Sequence, residues 1–508
     1  MMIKWMRVLL LGATIMASKA NAEVRPNVLF SDNMVLQRGI AVPIWGTAKD
    51  GEAVSVSFEG QAVKTVAKEG KWSLVLKPLK AGGPFKMTIK GENTVTINNI
   101  LVGEVWVCGG QSNMERQLGP RKGQPLIENW EAEARDGINY PNIREFAVVH
   151  GASEVPLTEV KGKWAVCDSV TCKDFSAIGY FFAKALYQKI KIPIGIIHSS
   201  VGGTAVNKWI SREAVASNPE LTSIAAGYEG ALKRYPKQLA DYQANEASLM
   251  EKYKQDLKLA IANNQPHPRK PSPPVEPGKS GNFGGHYNAM IAPLIPYSIK
   301  GVVWYQGETD SHNPKMYFPT FTSLIADLRK RWQEGDFPWL FVQIAPNEKN
   351  APEIREAQML TYLKTPKTAM TVTTDCADST FDRHPPFKKK VGERIALTAR
   401  AVAYNEKIEF MGPIYKDSKV EGNKIIVTFT HADNGLVAKD GDLIAFSIAD
   451  ADKNFVPAKA VIKGNTLEVS ADGVSKPAFV RFGFSTKPVA NLYNKEGLPA
   501  SPFRTDGD

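Results

Sequence analysis

From about residue 24 to 100, apolar and polar positions alternate in short runs such as AVSVSFEG, KWSLVLKPL and KMTIKG, broken by Gly, Pro and Asn turns. A period of two puts one face of each strand on a core and the other in water, so residues 23–100 predict an antiparallel β-sandwich. From 101 to 402 the period changes. IPIGIIHSS, IKGVVWYQGE, WLFVQIAP and TAMTVTTD are near-continuous apolar runs ending in polar or glycine-rich loops, the pattern of parallel strands buried on both faces. FSAIGYFFAKALYQKI and FTSLIADLRKRWQ read as helices between them, and the alternation predicts a parallel sheet with helices on both faces. Residues 403–508 return to short β runs, among them KIIVTFTH, LIAFSIAD and AFVRFGFS, and predict a second β-rich unit.

One segment breaks this rhythm. Residues 211–264 read as long polar helices, and PHPRKPSPPVEPGKSG then forms a stiff extended connector, so about 211–280 reads as an insertion in the α/β unit. At the other extreme, Lys4 and Arg7, the apolar run VLLLGATIMA and the small residues Ala20-Asn21-Ala22 have the order of a secretory signal peptide, residues 1–22. The expectation is an exported protein, periplasmic or extracellular. No stretch approaches the roughly 20 apolar residues of a membrane span. A chain of 508 residues exceeds what one core organises, in keeping with several units.

Composition narrows the function classes. With 43% hydrophobic and 23% charged residues the chain is ordinary for a globular protein. The net charge of +11 raises a nucleic-acid reading, but the basic residues are scattered, and the only dense run, Lys388-Lys389-Lys390, reads as a solvated face. Of four cysteines, Cys167 and Cys172 are spaced to close a small loop in an oxidising compartment, while Cys108 and Cys376 sit in apolar sequence. No Cys or His spacing resembles a metal site, and no cofactor is expected.

Ligands of open α/β sheets bind where strands end, so the strand-terminating loops carry the candidate chemistry. Gly109-Gly110-Gln111-Ser112-Asn113 follows EVWVC, and a serine on such a turn exposes its Oγ above the sheet. Gly202-Gly203-Thr204 follows IGIIH, where backbone N–H groups can approach a substrate oxygen. WYQGETD crowds Gln306, Glu308 and Asp310 at another strand end: the Gln306 amide is a candidate oxyanion donor, and Glu308 can hold a partner loop. In DCADSTFDRHPP, Asp382 and His384 stand two apart before a helix beginning near Phe387; a histidine there can act as base to a serine and a carboxylate can orient it.

Taken together, GEVWVCGGQSNME, GGTAVNKW, YNAMIAPLIPYSIKGVVWYQGETD and DRHP resemble the motifs of the sialate O-acetylesterase family, a branch of the SGNH (GDSL-like) hydrolases, and the resemblance runs from residue 29 to 506. It implies a three-layer α/β/α catalytic domain flanked by β-rich units, and a serine esterase acting on an O-acetylated sugar. By matched position it implies Ser112 as nucleophile, His384 as base, and the Ser112 N–H, Gly203 N–H and Gln306 side chain as the oxyanion hole. Gln111, Asn113 and Glu308 fall to substrate binding or support. Other SGNH hydrolases carry asparagine where this branch has Gln306, and usually place the aspartate three residues before the histidine, here Phe381. The acidic member is therefore Asp382, Asp378, Asp375 or a backbone carbonyl. Acetylated xylan is the alternative substrate to O-acetylated sialic acid. A glycoside hydrolase using Glu308 leaves the serine and histidine loops unexplained, and a non-catalytic glycan-binding protein has no need of both.

Overall fold

The computed structural model describes residues 23–278, 281–377 and 382–507. The signal-peptide reading, Asp378 and Phe381 fall outside them. Among the described residues no helix is long and apolar enough to cross a membrane.

The architecture is mixed α/β with several sheets. Its centre consists of β1 (Thr94–Gly110), β2 (Ile143–Ala147), β3 (Trp164–Val166), β4 (Ile194–Ser200), β5 (Gly301–Tyr305), β6 (Trp339–Val342) and β7 (Thr368–Thr371), in the order β3-β2-β4-β1-β5-β6-β7. All neighbours pair in parallel except the edge strand β3. The chain leaves β1 towards β2 and β4, then returns to the other side of β1 with β5, β6 and β7. The order reverses beside β1, and in open α/β sheets ligands bind at the carboxyl ends of the strands at such a point.

β1 also ties the N-terminal strands to this sheet. Its first part pairs antiparallel with Gly82–Lys90, and every residue from Ile100 onward is buried. One continuous strand therefore crosses the position read as a domain boundary. The N-terminal strands Arg25–Pro26, Val42–Thr47 and Lys71–Leu76 form a separate antiparallel sheet. Beyond the central sheet, Ile414–Glu421, Lys424–Thr430, Thr466–Ser470 and Lys459–Lys463 form a four-stranded antiparallel sheet, and Phe446–Ala449 and Phe479–Phe482 lie in another.

Six helices matter for the site: α1 (Ser112–Glu115), α2 (Ala177–Ile190), α3 (Thr222–Ala262), α4 (Tyr317–Trp332), α5 (Pro352–Lys364) and α6 (Lys388–Tyr404). α2 starts where the Ser176 hydroxyl accepts the Gly179 N–H at 3.1 Å, and it ends at Lys191 in the left-handed conformation. It packs on α6, and α4 packs on α5. Trp304 of β5 anchors the core between Trp209, Phe321 and Trp339, with centroid separations of 5.8, 6.5 and 5.9 Å. Burying side chains of this size contributes roughly 1.5–3 kcal/mol each.

The polar stretch after residue 211 contains a single long helix, α3, of 41 residues, with Pro236 inside it and Ala260 as its one fully buried residue. Its first turns pack on the core through Ile224, Ala225 and Tyr228, and most of the remaining helix is exposed. Cys167 and Cys172 are thiols, not a disulfide: their Sγ atoms donate to the Gly137 and Ala134 carbonyls, each at 3.4 Å.

Candidate active site

The four loops meet at the carboxyl ends of the strands. Ser112 is the first residue of α1, immediately after β1 and Gln111. Gly110 has φ +137°, and a Cβ there would lie 2.1 Å from the Tyr305 carbonyl oxygen, so only glycine lets β1 pass β5 and turn into α1. As the first helical residue, Ser112 also has a backbone N–H with no acceptor inside the helix.

Ser112 Oγ and His384 Nε2 stand 2.9 Å apart. The imidazole is half-buried, and burial pushes its pKa below the usual histidine value. The Lys388 charge pushes the same way, Asp382 opposes it, and Arg116 and Arg383 add to the lowering. Asp382 Oδ1 accepts the backbone N–H of His384 at 2.6 Å but lies 3.6 Å from His384 Nδ1. It fixes the loop and sets a negative charge beside the ring without a short bond to the ring nitrogen. Asp375 is committed elsewhere: Arg394 donates to both of its oxygens at 2.7 Å, and Lys390 lies 2.6 Å away. Asp375 does not face His384 as an orienting group.

Gly203 has φ +72° with no atom within 4 Å of where its Cβ would stand, so glycine serves conformation there, not space. Its N–H has no backbone acceptor among the described residues, whereas the Gly202 N–H is taken by Glu115 Oε2. A Cβ on Gly202 would come 3.4 Å from Ser112 Cβ, which measures how closely this loop passes the serine.

Gln306 differs from the expectation of a free oxyanion donor. It is fully buried, and its Nε2 faces the Gln111 side-chain oxygen at 3.2 Å, the Thr204 carbonyl at 3.1 Å and Asp310 Oδ2 at 2.5 Å. Three acceptors surround two hydrogens, so none remains for a substrate oxygen. Gln306 instead anchors the loop that carries Gly203. Asp310 assists by accepting the Val206 N–H at 3.1 Å, and burial holds its pKa up at about 6.

Gln111 and Asn113 also act as ties. Gln111 Oε1 accepts the Gly307 and Thr309 N–H groups at 3.3 and 3.4 Å. Asn113 Nδ2 donates to Glu308 Oε1 at 2.6 Å and to the Arg383 carbonyl at 3.0 Å, joining the serine turn to the histidine loop. Burial raises the Glu308 pKa.

The structure adds residues that the sequence reading passes over. Lys388 is 1% exposed beneath the serine turn, although the lysine run reads as a solvated face. Its neighbours have separate duties, Lys389 pairing with Glu133 at 2.8 Å and Lys390 with Asp375. The available signal is position: three lysines at a helix start oppose the helix dipole, so a reason other than helix stability keeps them there. Beside Gly203 a cavity of about 510 Å³ is lined by Lys208, Tyr228 of α3, His312 and Asn313. A second Ser–His contact, Ser200 Oγ to His198 Nε2 at 2.6 Å with Glu145 3.4 Å from Nδ1, lies inside the sheet, and Ser200 is only 3% exposed. Among the described residues no cluster of three or more His, Cys, Asp or Glu side chains is placed to hold a metal ion.

Comparisons with known proteins say what the chain resembles. The family of carbohydrate esterases described as sialic acid-specific acetylesterase matches residues 281–400. Sialate O-acetylesterase from Mus musculus is 30% identical over 93% of this chain and 93% of its own length. The chain belongs to the sialate O-acetylesterase family. It is accordingly a carboxylic-ester hydrolase. The Homo sapiens member of the family is 28% identical over 93% of this chain and 91% of its own. The crystal structure of a carbohydrate acetylesterase from Xanthomonas citri superposes with a TM-score of 0.78 at 31% identity, covering 96% of this chain and all of that one. Within the family match lie the loops of Gln306 and His384, while Ser112 and Gly203 precede it.

Proposed function

We propose that this protein is an exported sialate O-acetylesterase that removes acetyl groups through a covalent acetyl-serine, on a catalytic domain of the SGNH three-layer type with β-rich units at both ends. The observation that carries the mechanism is the 2.9 Å contact between Ser112 Oγ and His384 Nε2 on a strand-end turn. His384 takes the Ser112 proton as Oγ bonds to the acetyl carbon, and the carbonyl electrons move onto oxygen. That oxyanion faces the Ser112 and Gly203 N–H groups, neither of which has a backbone acceptor among the described residues. Collapse breaks the bond to the sugar oxygen, which takes the proton from His384. Water, deprotonated by the same imidazole, then releases acetate. Asp382 stabilises the imidazolium through space and holds its loop.

The sugar fits the cavity beside Gly203, with α3 supplying one wall through Tyr228. Lys208 is partly buried there, and burial lowers its pKa. A cation in that position suits a carboxylated sugar such as sialic acid. Acetate release is measured from O-acetylated mucin sialic acid and from acetylated xylan side by side. Faster release from mucin supports the proposal, and a preference for xylan replaces sialic acid by a plant polysaccharide. Ser112→Ala is expected to abolish turnover on both while the protein stays folded.

A further inference from the structure

Lys388 is a buried side chain near the serine whose presence the mechanism above leaves unexplained. It is 1% exposed, and it opens α6, where the helix dipole disfavours a cation and no side chain caps the helix. Among the described residues its nitrogen has no carboxylate within ion-pair distance; it donates to Asn113 Oδ1 and lies 5.4 Å from the centre of the Tyr305 ring. Burying an ammonium with a neutral amide as its hydrogen-bond acceptor is costly. A fold that keeps one there, beside Arg116, uses it for something other than stability.

Its position indicates what that use is. Asn113 follows the serine, and its amide nitrogen reaches the Arg383 carbonyl, one residue before His384. Lys388 on the opposite side of the same amide fixes which way Asn113 points. Glu308, whose second oxygen finds no hydrogen-bond partner among the described residues, holds the Asn113 nitrogen. Three loops thus meet at one side chain. We infer that Lys388 is a positioning residue for deacetylation: through Asn113 it docks the His384 loop on the serine turn, and its buried positive charge keeps the imidazole in the basic form.

The electrostatic half has support in the charges around both groups. Lys388 itself is pushed down to about 7, first by burial and then by Arg116, with Glu308, Cys376 and Asp382 opposing. His384 is lowered by burial and then by Lys388, with Arg116 and Arg383 adding to this and Asp382 opposing. Each group is thus lowered by the positive charges that surround it as well as by burial.

The inference rests on the Ser112–His384 reading, and the experiment separates the two. kcat and the pH dependence of kcat/KM for p-nitrophenyl acetate are measured on wild type, Lys388→Gln, Lys388→Met and Lys389→Met, each normalised by titration of active sites. Lys388→Gln keeps a donor for Asn113 and loses the charge; its acid limb is expected to move up by about half a pH unit or more, with kcat largely retained. Lys388→Met loses both, so the same shift is accompanied by a roughly tenfold or larger fall in kcat. Lys389→Met, at the surface, leaves both unchanged. Because the limb is a ratio on titrated enzyme, incomplete folding lowers yield without moving it. An unmoved limb in both Lys388 variants, or an equal shift in Lys389→Met, overturns the inference. Full activity in Ser112→Ala overturns the underlying reading instead.

Discussion

Replacing Gln306 by Ala tests whether this residue positions the glycine loop or binds the oxyanion itself. In the structure its Nε2 donates towards Asp310, the Thr204 carbonyl and Gln111. Truncation leaves a buried carboxylate with one fewer donor, for which about 1.5–3 kcal/mol is the usual scale, and leaves a buried carbonyl unpaired at about 1–3 kcal/mol. Because Asp310 is pushed up only to about 6, it remains an anion at neutral pH and feels the loss. A destabilisation of roughly 2–4 kcal/mol is therefore expected. Displacement of the loop weakens the Gly203 donor, so kcat should fall by on the order of 10²-fold. Asp310→Ala removes the carboxylate that holds the same loop at Val206 and engages the Gln306 amide, so it should reproduce both losses on p-nitrophenyl acetate, which has no sugar to fill the cavity. A double-mutant cycle by urea unfolding and p-nitrophenyl acetate kinetics should then show the double variant scarcely worse than the singles. If Gln306→Ala loses activity with stability unchanged, Asp310→Ala is silent and the effects add, Gln306 is a direct donor and the positioning argument is wrong.

Further consequences can be measured on the same protein. Burial and Lys388 lower His384, which must be neutral to act as base, so the acid limb of kcat/KM should lie below the ordinary histidine value of about 6.5; a limb above that value contradicts the assignment of these charges. Asp382→Asn removes the charge that opposes this lowering, so the limb should move further down in pH, opposite to the Lys388 variants, with kcat reduced about tenfold. Asp375→Ala leaves the buried Arg394 unpaired and should cost about 3–5 kcal/mol in urea unfolding. Arg394 and Lys390 depress the Asp375 pKa, so its contribution to stability is present above the unfolded value of about 3.9 and is lost as pH falls below it. Lys208→Ala should raise KM for O-acetylated sialic acid severalfold while leaving p-nitrophenyl acetate unaffected, as substrate competition assays would read.

What the sequence makes legible follows from the range of the forces involved. Parallel strands of the central sheet appear as apolar runs because burial on both faces is a local property of each strand. The polar stretch of α3 is likewise readable: a short helix at Arg212–Ser217 precedes one run of 41 residues that continues through Pro236. The site is only half legible. A serine after two glycines and a histidine before two prolines signal their loops locally. The partners of Gln306, however, lie 195 and 102 residues away at Gln111 and Thr204, and no spacing rule anticipates an amide whose hydrogens are both engaged. Lys388 is hidden for a related reason: a run of lysines looks solvated, and only the approach of Asn113 across 275 residues makes one of them a buried member of the site. The orientation of Asp382 depends on loop backbone geometry, which places it on the His384 N–H before its ring.

The claim on which the rest depends is that Ser112 is the nucleophile. Active enzyme is treated with a serine-directed organophosphonate, and the modified residue is located by peptide mass mapping. A single adduct on Ser112, forming in step with loss of acetate release and much more slowly in His384→Ala, is the predicted result. An inactivated enzyme whose adduct lies on Ser200, or one that stays unlabelled while fully active, contradicts it.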